Sequence, residues 1–433
     1  MKIGVYLFMI KAIEIKNFKS AEKLNLKFGR INTFIGENGS GKSTVLEALA
    51  FAVAAENDRL ESEFLENRGI RITSPEFMRS CFNDESVDNP IEIKLFLNDE
   101  GSTARNYIFE NKNEFFSEWK IVKDTIVNSS PDESVSSKDY YSIKARIKAF
   151  NKLLSRDEFS KILNSDNSEL KASVEHLKNE EFLKEIDDAE ELIKELESTV
   201  TEGMEPLNNF AIYSPENKQL RNLKEEGALR PIGIQGQGLF KLLRQIHKEQ
   251  PDAMRDIEKG LKLIGWYESM DLDNEPELIE DELFIKDRYL PMSFTQRSAN
   301  EGFLYMLFYM ALLVSKVTPR IFAIDNIDAA LNPKLCTKLM TYIVELAEKY
   351  DKQVFLTTHN PAILDGINLF DEQQKLFVVS RKKRGQTSVR EFKSSQMPTT
   401  HNIAKKFDTK NEEYLMLSEA MIRGYIGGIP KGF

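Results

Sequence analysis

The nine residues GENGSGKST, at positions 36–44, constrain this chain more than any other stretch. They fit the spacing Gly-x-x-x-x-Gly-Lys-Ser/Thr, with Gly36, Gly41, Lys42 and Ser43 at the fixed positions. An apolar run, Ile31–Ile35, precedes them and suits a strand, and helical spacing of Val45, Leu46 and Leu49 follows and continues to about Val53. Strand, glycine-rich loop and helix in that order form a phosphate cradle. Glycine lets the backbone curl until successive N–H groups point at one anion, and the helix N-terminus adds a favourable dipole. Glu37, Asn38, Gly39, Ser40 and Thr44 fill out the expected cradle. Lys42 is placed to neutralise β and γ phosphates and Ser43 to ligate Mg²⁺, so ATP and Mg²⁺ are the expected ligands.

A second apolar run, Ile321–Ile324, ends in Asp325. A carboxylate at the C-terminal end of a buried parallel strand, beside the loop strand, can hold magnesium directly or through water. The next residue is Asn326, where a glutamate would polarise the attacking water. An amide positions water but cannot take its proton, so Asn326 predicts slow turnover. Asp328, two residues on, is the candidate substitute carboxylate.

Between these two stretches the character of the chain changes. Residues 10–18, 24–28 and 91–97 alternate apolar and polar as half-buried strands do. The stretch NSSPDESVSSKDY, 128–140, is a polar boundary. From about 141 to 200, Phe182, Ile186, Ala189, Ile193 and Leu196 share one helical face with charged faces between. This predicts a helical insertion, either a protruding hairpin or amphipathic helices packed on a core. Beyond 205, sheet-forming character resumes, with strands expected around 261–270 and 283–288. Helix 300–315, strand 320–325, helix 334–350 and strand 353–358 then predict a right-handed crossover in a parallel sheet. A strand pair around Leu376–Ser380 and Thr387–Phe392 and a terminal helix near 412–426 complete the order. Gly36 and Asp325 thus belong to two halves of one site: an N-terminal lobe, 1–135, and a C-terminal lobe, 204–395. The insertion at 141–203 separates them, and 396–433 form a linker and tail.

Composition narrows the function classes. The balance of 59 Lys and Arg against 69 Asp and Glu gives −10, so no global basic field marks a nucleic-acid binder. The one concentrated basic run is Arg381-Lys382-Lys383-Arg384, in a turn, and it leaves nucleic acid open as a partner. Cys81 and Cys336 are too few for a disulfide framework, and a reducing cytoplasm fits. The aliphatic stretch Phe303–Val314 has the length of a core helix and not of a membrane span. Met9 opens a cleaner start than Met1, so residues 1–8 are expected to be a dispensable extension.

The opening IKAIEIKNFKSAEKLNLKFGRINTFIGENGSGKSTVLEAL, with IFAIDNIDAALNP and VFLTTHNP, resembles the ABC-type ATPases of the SMC, RecF and OLD-like group. The likeness is close over roughly 10–55 and 290–365 and holds in the middle only by arrangement. It implies an α/β fold: an ABC-type P-loop ATPase head, a mixed sheet with a parallel core and an antiparallel β-subdomain, carrying an inserted helical or coiled-coil-like subdomain. His359 matches the switch histidine that contacts the γ-phosphate, which makes His359, Asn326 and Asp328 the expected catalytic set. Asp328–Pro333 match the loop that crosses the dimer interface. RSANEGFLYML stands in the place of the signature motif, which in the family caps the partner subunit's ATP. The usual Ser-Gly-Gly is missing there. Asn300 falls at the serine position and Gly302 at the second glycine, with Ser298 as the alternative and Glu301 between. Gln219 is the candidate for the glutamine of the magnesium shell. The layout and the tail MIRGYIGGIP are similar to the stand-alone ATPases of Septu-type and PARIS-type anti-phage systems. That likeness implies a head-to-tail dimer or higher oligomer and a separate effector such as a nuclease. The alternative is a DNA-repair ATPase that binds duplex DNA.

Overall fold

The computed structural model describes residues 9–82, 87–97, 103–114, 117–128, 207, 209–222, 227, 229–272, 282–398 and 414–427. The expected helical insertion at 141–203 lies outside them.

Two sheets build the N-terminal lobe and the core. Strands β1 (Ala12–Phe18) and β2 (Ala21–Lys27) pair antiparallel. With β4 (Ile91–Phe96), β5 (Thr103–Glu110) and β6 (Lys120–Asn128) they form a sheet in the order β2-β1-β4-β5-β6. The second sheet contains β3 (Ile31–Gly36), β7 (Ile212–Tyr213), β11 (Ile321–Ile324), β12 (Gln353–Thr358), β13 (Gln374–Arg381) and β14 (Thr387–Phe392). Its order is β14-β13-β3-β12-β11-β7, parallel throughout except for the β13–β14 pair. A small sheet of β8 (Tyr267–Asp271), β9 (Phe284–Asp287) and β10 (Phe294–Thr295) lies apart.

Period-two alternation sends each central strand into two cores. Phe322 and Ile324 join a cluster with helices α3 (Glu301–Val314) and α4 (Pro333–Lys349), while Ile321 and Ala323 join the cluster around α1 (Lys42–Glu56). Helix α1 is enclosed nearly all round, buried from Thr44 to Ala55, because it sits with the antiparallel sheet in the second cluster. That explains why its sequence shows no polar face. Helix α2 (Asn217–Arg221) follows β7 and packs on α3.

Several expectations need correction. The strand expected at 261–270 begins only at Tyr267, because Pro251–Leu261 is an amphipathic helix that a proline opens at its first turn. The sheet-forming character expected beyond 205 reduces, among the described residues, to the two residues of β7 before that helix, whereas the glycine-rich loop at 231–238 does open a helix at Leu239–Glu249, as its sequence leads one to expect. Within the described residues 414–427 the terminal helix, expected near 412–426, covers Leu417–Ile422. Its Leu417 and Met421, with Leu415, bury against the body of the domain, while Ile422 stays 69% exposed.

Candidate nucleotide-binding site

The parallel register brings the separated motifs together. β3 lies beside β12, and β12 beside β11, so the loop after Gly36, the residues after Thr358 and those after Ile324 emerge at one sheet edge. This is the C-terminal edge, where open α/β sheets bind ligands. Gly39 and Gly41 take positive φ, 74° and 104°, and Gly41 is the cap residue of α1. Glu37, Asn38 and Gly39 are exposed, Gly41 is half-buried, and Ser40, Lys42 and Thr44 are buried.

Lys42 Nζ donates to Gly36 O at 2.9 Å and Glu37 O at 3.0 Å, and lies 3.3 Å from His359 Nδ1. Burial lowers its pKa, and the carboxylates of Asp325 and Asp328 oppose that shift. The His359 imidazole is also held below its ordinary value, first by burial and then by the Lys42 charge. Ser43 Oγ donates to both Asp325 oxygens, at 3.2 and 3.1 Å. Lys42, Ser43, Asp325 and His359 therefore meet at one point. Ser43 and Asp325 supply hard oxygen donors. Among the described residues no cluster of three or more His, Cys, Asp or Glu gathers as a cage. Few protein ligands, with phosphate oxygens and water making up the rest, is how Mg²⁺ is commonly held. The donor set fits that ion.

Asn326 adopts φ 55°, a left-handed conformation that asparagine tolerates better than most residues. Its amide donates to Thr357 Oγ1 at 2.9 Å, and the same hydroxyl donates to Asp325. Asp328 Oδ1 accepts from Thr358 Oγ1 at 2.6 Å and from the His359 amide at 3.3 Å, which ties the crossing loop to the histidine. Sequence reasoning missed both threonines, although the pair directly precedes His359 in LTTH. It also missed Glu47, buried on α1, which binds Lys19 Nζ and Arg71 Nε, each at 2.7 Å. Glu47 raises the Arg71 pKa most, and Asp325 adds to that shift.

The signature-like residues do not join this cluster. Asn300 caps α3, its side chain accepting from Phe303 N at 2.7 Å, and Glu301 accepts from Asn217 Nδ2 at 2.6 Å. The amide of Ser298 closes a turn on Thr295. A Cβ on Gly302 would lie 3.0 Å from Ala330 O, so this helix start packs directly on the crossing loop. Together they wall a cleft of about 700 Å³ lined by Asn300, Gly302, Ala330, Asn332 and Trp266, and none of residues 36–44 lines it. Gln219 Oε1 is buried without a hydrogen-bond partner among the described residues.

Known proteins resemble this chain in sequence and fold. Residues 31–365 match the family described as "AAA domain, putative AbiEii toxin, Type IV TA system". The DNA replication and repair protein RecF of Lactococcus lactis subsp. lactis is 30% identical over 105 residues, 24% of this chain and 28% of that protein. RecF of Clostridium botulinum is 25% identical over 272 residues, 59% of this chain and 70% of that protein. The OLD nuclease of Thermus scotoductus is 26% identical over 117 residues, 23% of this chain and 22% of that protein. The first of these matches therefore spans under a third of its relative's length. A crystal structure of an SMC head bound to the C-winged-helix domain of ScpA superposes with a TM-score of 0.53 at 13% identity, covering 89% of this chain and 99% of that one. Among the described residues no helix is long and apolar enough to cross a membrane. The match over residues 31–365 places this chain in that AAA-domain family, with a fold shared with an SMC head.

Proposed function

We propose that the chain is a slow ATPase whose composite sites close between two copies arranged head to tail. The observation that carries this is a separation: Lys42, Ser43, Asp325 and His359 converge on one point, while Asn300 and Gly302 face a different cleft. Among the described residues of one copy no helix start caps the phosphate site from outside, and a second copy would supply the N-terminus of α3 to it. Lys42 would hold the β and γ phosphates, with Ser43 and Asp325 holding Mg²⁺, which would neutralise charge on the transferred phosphoryl group. Asn326 would position water and His359 would contact the γ-phosphate. Asp328, bound to Thr358 and the His359 amide, would keep that histidine in place or stand in as the carboxylate. Phosphoryl transfer depends chiefly on positioning and charge stabilisation, so turnover persists without a glutamate but stays low.

An ATP-held dimer that hydrolyses slowly suits a scaffold better than a motor. In this reading it holds a separate effector, such as a nuclease, in anti-phage defence, and the family description with its toxin supports that setting. The similarity to RecF supports a second reading, a DNA-repair ATPase. Duplex DNA titrated at low and high salt separates the two. Tight binding that weakens steeply with salt favours repair. Absence of binding, with copurification of a neighbouring-gene nuclease, favours the scaffold.

A further inference from the structure

The β13–β14 hairpin backs the phosphate loop from the side opposite β12. β13 pairs with β3 up to Val379↔Gly36, so Ser380, Arg381 and the turn run on beyond the end of β3, alongside the loop. Contact there is close. A Cβ on Gly36 would collide with Val379 O, and one on Gly41 with Thr387 Oγ1. Two glycines of the motif thus face the hairpin, which leaves no room for a side chain at either.

Polar bonds accompany the packing. Arg381 Nε donates to Gly39 O at 2.7 Å, and its guanidinium also reaches Gly385 O across the turn. Thr387 Oγ1 lies 3.0 Å from Ser40 O and 2.7 Å from Ser20 Oγ. The Thr387 hydroxyl donates toward both, and a carbonyl can only accept, so Ser40 O is held by the hairpin and not the reverse. The Thr387 amide in turn donates to Ser20 O at 2.7 Å, fixing the hairpin base against the β1–β2 turn. In a trans peptide the C=O and the following N–H point in opposite directions. With the carbonyls of Gly39 and Ser40 drawn to the hairpin, the Gly41 amide is turned away from it. Positive φ at Gly39 and Gly41 on either side of Ser40 gives the alternating backbone of an anion nest.

We propose that Arg381 and Thr387 are positioning residues for nucleotide binding: they clamp two carbonyls of the phosphate loop and so fix its course, with the Ser40 amide closing a turn on Glu37 O and the Gly41 amide turned toward the phosphates. This rests on the nucleotide-site reading above. Arg381 opens the basic run noted in the sequence, and its neighbours Lys382, Lys383 and Arg384 are exposed. The clamp assigns Arg381 a directed bond, distinct from the general field of that run.

Calorimetric titration of the full chain with Mg·ATP, well below the melting transition, tests the clamp. Loss of one such bond corresponds to about fivefold weaker binding for Thr387→Val and about tenfold for Arg381→Ala. The double variant should fall short of the product, because both bonds hold one loop. Thr387→Ser should restore parent affinity, and Lys383→Ala, which removes charge but no loop contact, should leave it unchanged. A purely structural role would lower the melting temperature and leave the dissociation constant alone. The clamp is overturned if Arg381→Ala and Thr387→Val bind within about twofold of the parent while Lys42→Ala fails to bind, since about twofold is less than the loss of one hydrogen bond. It falls together with the nucleotide site itself if Lys42→Ala binds as the parent does.

Discussion

Consider glutamate in place of Asn326. The backbone there has φ 55°, with its amide bonded to Thr357 Oγ1. Asparagine visits that conformation readily, while a longer L residue in it costs roughly 1–2 kcal/mol. The variant should therefore lose about that much stability, a fall of a few degrees in melting temperature for a chain of this size. Against this stands a gain in chemistry. A positioned general base contributes typically about 10²–10⁴-fold, and even its lower bound, about 2.7 kcal/mol of barrier, exceeds the strain. Steady-state phosphate release at 25 °C should thus rise by at least about tenfold, a conservative figure that allows for imperfect placement of the carboxylate. Circular dichroism would confirm a folded variant and calorimetry an unchanged affinity for Mg·ATP. Turnover equal to or below the parent's, in a variant that folds and binds, would refute the view that the missing carboxylate limits the rate.

Other substitutions probe separate links. Asp325→Asn should leave some ATP binding but remove its dependence on Mg²⁺, which titrations with and without EDTA would read. Asp328→Ala should abolish the residual rate if that carboxylate replaces the glutamate. If it only holds His359 through Thr358, Thr358→Val should reduce the rate as much, and phosphate release compares the two. Lys352 is buried, and its ammonium donates to Ser315 O, Thr318 O, Thr318 Oγ1 and Pro319 O at 2.8–3.1 Å. Lys352→Met removes those bonds, although Thr318 Oγ1 still serves Ser315 O and Leu312 O, and should cost about 2–4 kcal/mol in chemical denaturation, while nucleotide affinity at low denaturant stays near that of the parent.

The candidate site residues were legible by different signals: Gly36 to Thr44 by the fixed spacing of the phosphate loop, Asp325 as the acid that ends an apolar run, and His359 by the family resemblance. The parallel register of β3, β12 and β11 explains why residues so far apart meet. What escaped notice was the support behind them. Thr357, Thr358, Glu47 and Thr387 act through contacts between distant segments, and nothing in their local sequence sets them apart from ordinary strand or helix residues. Local pattern also failed where tertiary packing overrode it. Residues 261–266 looked like strand but continue and close a helix, and the tail looked like a longer helix, of which the described residues 414–427 carry Leu417–Ile422. In the sequence Arg381 is only the first residue of a basic run in a turn, because sequence cannot show that this turn lies beside Gly39.

The central claim is that each phosphate site is completed by a second copy, and mixing two inactive variants tests it most directly. Lys42→Ala removes the phosphate contact of its own copy, and Gly302→Leu crowds the helix start that would cap the other copy's site, 3.0 Å from Ala330 O. In a head-to-tail pair made of one of each, one composite site keeps both Lys42 and Gly302. The account predicts that phosphate release, absent from either variant alone, returns when the two are mixed. It also predicts that a slowly hydrolysed ATP analogue makes the mixture sediment as a dimer. A mixture as inactive and monomeric as its components, or a Gly302→Leu protein that turns over and associates like the parent, would contradict it.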